Sequence, residues 1–181
     1  MLAAVLGMTL VVAGCSGDDE PTLPPRTPIP TELAEPLWNP CDALKPAEVA
    51  KLFGATFDLA TGTDAEPRCT FTPTVEGETV LDINYQLYGG ILEDVVTQLG
   101  DPSDTSELRS PKLPGASGAR IIIDADADAL AVTGLVRNGR LVQVVNALDV
   151  TPYDKESTVA AVRQLMIELA SHAKESGLNV G

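Results

Sequence analysis

The side chains able to do chemistry are few and scattered along the 181 residues. His172 is the only histidine. A zinc site needs several nitrogen, thiolate or carboxylate ligands, and one imidazole cannot supply it without a second nitrogen or a free thiolate. His172 follows Glu168 by one helical turn in an amphipathic stretch, so it reads as a helix-surface histidine rather than a general base. Asp124-Ala-Asp-Ala-Asp128 has the alternate carboxylates with which a calcium loop opens. The pattern then fails: Ala129 stands at the sixth position, where glycine makes the turn, and Leu135 at the twelfth, where a bidentate glutamate belongs. A solvated strand end or loop is the expected role of this segment, with weak divalent-ion association as the lesser alternative. Gly115-Ala-Ser-Gly118 has the wrong spacing for a nucleophile elbow, and there is no Gly-rich phosphate loop. Acidic residues are plentiful, so a carboxylate pair for glycoside hydrolysis stays open. The sugar-stacking platforms that such sites recruit are thinly provided by one Trp, three Tyr and three Phe. No catalytic residue, cofactor or metal ligand is therefore assigned.

The cysteines carry more information. Residues 1–14, MLAAVLGMTLVVAG, hold no charged side chain and end at Cys15. As a helix they would span about 21 Å, short of the roughly 30 Å hydrocarbon core, and read as a secretion signal rather than a membrane span. Val12-Ala13-Gly14-Cys15 resembles a bacterial lipobox, in which the cysteine is diacylated and becomes the first residue after cleavage. Two acyl chains give durable anchoring where one does not. A signal peptide normally opens with a basic region, yet the first basic residue is Arg26, and we expect the true start to lie upstream. The alternative is an ordinary buried helix with a free cysteine, for which the following Asp18-Asp19-Glu20 is a poor continuation.

Residues 15–37 form the expected tether. Seven of the fourteen prolines fall between Pro21 and Pro40, which favours extended polyproline conformations. Five acidic residues against Arg26 make the segment self-repelling, and it reaches about 60–70 Å when extended. The whole chain carries 26 acidic and 12 basic residues, a formal charge of −14. That balance argues against a nucleic-acid partner and against adsorption to an anionic membrane by charge alone. With Cys15 spent on the anchor, Cys41 and Cys69 of an exported domain are most simply a disulfide.

The elements that position these residues follow from periodicity. Pro46 opens a short helix that Gly54 stops, with Val49, Leu52 and Phe53 on one face. Strands are expected at 56–59, 69–72 and 79–87; in the last, Leu81, Ile83, Tyr85 and Leu87 alternate with Asp82, Asn84 and Gln86. A helix over 91–99 and a long loop over 100–118 follow. Three more strands are expected at 119–124, 129–137 and 140–148, the last two joined by the hairpin signal Asn138-Gly139. A final helix starts with Thr151 as cap and Pro152 in its first position, buries Val159, Val162, Met166, Leu169 and Ala173, and closes at Gly177. The order helix, three strands, helix, three strands, helix predicts a single α+β domain over 38–181, a mainly antiparallel sheet with helices packed on one face.

Asn39-Pro40-Cys41-Asp42-Ala43-Leu44-Lys45-Pro46, the helix to Gly54 and Cys69-Thr70-Phe71 together resemble the DUF3558 family of actinobacterial lipoproteins. Its members open with Asp-Pro-Cys, a leucine pair and Thr-Pro before a short helix ending in glycine, and a second cysteine often precedes a tryptophan by two residues. Here Asn39, Lys45 and Phe71 take the aspartate, threonine and tryptophan positions. The resemblance covers 38–72 well and the rest in layout. It implies palmitate-type acylation at Cys15, the Cys41–Cys69 disulfide, an actinobacterial source and the extracytoplasmic face of the cell membrane, and it carries no catalytic residues. The sequence thus predicts a lipid-anchored, non-enzymatic binding or interaction module whose partners are membrane lipid through Cys15 and an envelope protein or small apolar ligand. The alternatives are a cell-wall hydrolase using acidic residues and a lipid or lipoglycan carrier with an apolar cavity.

Overall fold

The computed structural model describes residues 39–63, 66–99 and 105–176; Cys15, the tether and Gly177 lie outside them. Asn39 caps a 3-10 turn, Pro40–Ala43, by accepting from the Cys41 N–H at 2.9 Å. Helix α1 (Pro46–Phe53) begins on Pro46 and ends at Gly54, whose φ of +66° is the left-handed stop expected of a glycine. Lys45 makes no cap bond and pairs instead with Glu48 at 3.1 Å. Strands β1 (Phe57–Thr61), β2 (Cys69–Pro73) and β3 (Val80–Leu87) follow, then α2 (Leu92–Gln98), β4 (Glu107–Arg109), β5 (Gly118–Ala125), β6 (Ala129–Asn138), β7 (Leu141–Val150) and α3 (Lys155–Glu175).

Among the described residues all pairings are antiparallel, and seven strands lie in the order β1-β2-β3-β7-β6-β5-β4. The α+β class and the run of elements are as the sequence predicts, with one addition. β4 falls inside the segment expected to be loop, and charged contacts fix it. Arg109 clamps Glu156 of α3 with two hydrogen bonds of 3.0 and 3.2 Å, and Glu107 accepts from Arg109 at 2.5 Å and from Lys155 at 2.8 Å.

Alternation sorts the sheet into two faces. One face presents Phe71, Leu81, Ile83, Ile121, Ile123, Val132, Val136 and Val145 to α1 and α3. Val162, Leu165, Met166 and Leu169 of α3 meet them, all fully buried. Gly134 of β6 lies beneath this helix; a Cβ there would stand 2.7 Å from the Met166 sulfur and 2.9 Å from Val162 Cγ1, so the missing side chain lets α3 come close. Residues of opposite parity, Ile122, Leu135, Val142 and Val144, form a second cluster with Leu92, Val95 and Val96 of α2. α2 therefore lies on the other face, and its amphipathy alone does not select one.

Two terminations differ from expectation. α3 starts three residues later than the Thr151-Pro152 pattern suggests: Asp154 is the cap, accepting from the Ser157 N–H at 3.1 Å, and Thr151–Pro152 is a cis peptide ahead of it. The Asn138-Gly139 hairpin forms, but its two turn residues are Gly139 and Arg140. Gly139 has φ +59° and, among the described residues, no non-glycine residue has positive φ, the pattern of a turn with glycine first. Asn138 is the last ladder residue and is buried. Its amide donates to the carbonyls of Gly115 (2.8 Å) and Ala170 (3.3 Å), tying the loop before β5 to α3.

The Glu107 network gives the fold an acid limb. The hydrogen bond from Arg109, then that from Lys155, lowers Glu107 from the ordinary value near 4.5 to about 2, and Arg109 likewise holds Glu156 below its usual range. A lowered carboxylate adds stability that is complete above its unfolded pKa and is lost as protons reach the folded form. Thermal midpoints should therefore hold steady above about pH 5 and fall between about pH 4.5 and pH 2. Glu107→Gln should flatten that fall, and equal acid limbs in the two proteins would contradict the assignment.

Candidate functional site

α2 covers only one end of its face of the sheet. Beyond it the register sets Val80 of β3 opposite Leu148 of β7, and Leu148 opposite Ala131 of β6. Val80, Leu148 and Val150 are 39, 49 and 39% exposed, although Leu148 has strand partners on both sides and Val80 and Val150 lie one and two residues from such a position. The next rung is polar: Thr70, Asp82, Asn146 and Thr133 lie in one row across four strands. Thr133 donates to Asn146 at 3.1 Å, and Arg68 reaches Asp82 at 2.7 Å. An apolar strip with a hydrogen-bonded polar border thus lies exposed on this face of the sheet.

A second place of interest is a cleft of about 250 Å³ where α1, the turn before β3, the end of β7 and the start of α3 meet. Glu78, Asp149 and Asp154 line it, with Thr79, Ser157 and Thr158. Two of the carboxylates have duties in the fold: Asp154 caps α3, and Asp149 accepts from the Thr158 hydroxyl at 3.3 Å. Glu78 keeps one carboxylate oxygen buried without a hydrogen-bond partner. Sequence reasoning missed this convergence because the three acids come from separate elements.

No family model, curated protein or solved structure matches this chain.

The residues singled out from the sequence fall as follows. Cys41 and Cys69 are bonded, with Cα atoms 5.1 Å apart, joining the first turn to β2. Asp126 makes a local turn, accepting from the N–H groups of Asp128 and Ala129 at 2.8 Å each, and these bonds lower its pKa in that order. Asp124 is hydrogen-bonded to Ser106, so the alternate aspartates serve β5 and its turn. Among the described residues no group of three or more His, Cys, Asp or Glu side chains is placed to hold a metal ion. Ser117 donates to the Arg137 carbonyl at 3.0 Å. His172 is half-buried on α3. No helix among the described residues is long and apolar enough to cross a membrane.

Proposed function

We propose that the chain is a lipid-anchored protein of the extracytoplasmic face, diacylated at Cys15, whose α+β domain is a non-enzymatic interaction module for another envelope protein. The observation that carries the module reading is the uncovered apolar strip of Val80, Leu148 and Val150 with its polar border. The anchor rests on Val12-Ala13-Gly14-Cys15 and the proline-rich acidic segment that follows. The carrier reading needs open space between sheet and helices, and that layer holds fully buried Val162, Leu165, Met166 and Leu169. The acidic cleft favours a hydrolase as second reading, but two of its three carboxylates are spent on Ser157 and Thr158.

Photo-crosslinking in cells tests the module. A photoreactive side chain at Leu148 should give a discrete protein adduct, and one at Arg163, on the exposed side of α3, should give none. Adducts absent at Leu148, or equal at both positions, would sink the reading.

A further inference from the structure

Among the described residues the sheet has two edges, and they are built differently. β4 has three residues, and its Glu107 and Arg109 are held by Lys155 and Glu156. β1 has five residues, Phe-Asp-Leu-Ala-Thr, with neither proline nor lysine, and every residue from Asp58 to Thr61 is exposed. Natural sheets usually blunt such an edge, and here Asp58 is the one charge on it.

The hydrogen bonds fix which way each backbone group of β1 points. Thr74 N–H donates to the Thr56 carbonyl at 2.8 Å, and Gly62 N–H donates to the Arg68 carbonyl at 2.7 Å. Groups alternate between the two sides of a strand, so Thr56, Asp58, Ala60 and Gly62 face β2. Phe57, Leu59 and Thr61 turn their N–H and C=O outward. The side chains of these three lie on the α1 and α3 face, where Phe57 meets Phe53 and Phe71 edge-on and Leu59 is left 40% exposed.

We propose that this edge pairs with the same edge of a second copy, antiparallel about a two-fold axis at Leu59. Outward groups must meet outward groups, which limits the register to a few choices. Centring on Asp58 sets the two Asp58 carboxylates against each other and uses only Phe57 and Leu59. Centring on Ala60 leaves Phe57 unpaired. Centring on Leu59 pairs Phe57 with Thr61, Leu59 with Leu59 and Asp58 with Ala60. It is the register that uses all three outward residues, buries Leu59 against its own copy and keeps the carboxylates apart. The edge is self-complementary, as a two-fold interface requires. The short, ion-paired β4 edge offers no continuation, so assembly stops at a dimer with one continuous sheet. A five-residue pairing is small, and the association is weak and concentration-dependent.

The test follows the purified full-length chain by sedimentation velocity and residue-resolved amide exchange from about 10 µM to about 1 mM, the range of weak interfaces. The expected result is a reversible monomer–dimer equilibrium. The Phe57, Leu59 and Thr61 amides slow as concentration rises, while Asp58 and Ala60 are unchanged. Leu59→Pro removes the central outward donor without touching the β2 ladder and should weaken dimerisation by about tenfold or more. If that variant does not fold, Leu59→Lys, which leaves the backbone intact, should show the same direction. A monomer throughout, a dimer in which those three amides ignore concentration, or a folded Leu59 variant that pairs like the parent overturns the proposal.

Discussion

Cutting the Cys41–Cys69 bond should lower the stability of the domain by about 3–4 kcal/mol. The bond closes a loop with a sequence separation of 28, and chain entropy in the unfolded state rises when that closure is lost. Cys69 is fully buried on β2 beside Phe71, and Cys41 holds the turn ahead of α1. The double variant Cys41→Ala/Cys69→Ala should therefore loosen the amino-terminal side of the sheet first. For a domain of this size the melting midpoint should drop by roughly 10–15 °C. Calorimetry of the oxidised protein and the double variant measures it. A change under about 1 kcal/mol would mean that the unfolded chain was already restricted in this region.

Leu165→Ala should cost about 3–4 kcal/mol. Leu165 is fully buried on α3, in the layer that meets Ile121, Val132 and Val145. In a filled layer the deleted atoms leave a hole whose walls relax only in part, so the transfer and cavity contributions add. The same substitution distinguishes a filled layer from a ligand-holding one. If the space beneath α3 accommodated an apolar ligand, the truncation would enlarge an existing cavity and cost little. A measured loss below about 1 kcal/mol, together with uptake of an apolar probe, would favour the carrier reading over the interaction module.

Most of the fold was legible because its signals are local. The Pro46-to-Gly54 helix, the alternation through Leu81 and Ile83 and the apolar face of α3 are each written in neighbouring residues. What escaped depends on distant partners. Three residues, Glu107–Arg109, have no periodicity to display; they become a strand because β5 and two charged residues of α3 hold them there. The start of α3 is not legible because Thr151 and Asp154 are both residues of the capping type, and only the hydrogen bond from the Ser157 N–H to Asp154 decides between them. Asn138 looked like a turn residue, yet its amide is consumed by Gly115 and Ala170, far away in sequence. The uncovered strip is illegible for the same reason: Val80 and Leu148 read as ordinary strand residues and Val150 falls beyond the expected strand 140–148, until the position of α2 and the full length of β7 are known.

The central claim, a domain tethered at Cys15 on the outer face of a membrane, is tested most directly by intact-mass analysis of the protein isolated from its native membranes. The predicted mass is that of a chain beginning at Cys15, without residues 1–14, plus a diacylglycerol-type modification that a Cys15→Ala variant lacks. A chain that retains residues 1–14 with an unmodified Cys15 would contradict the account.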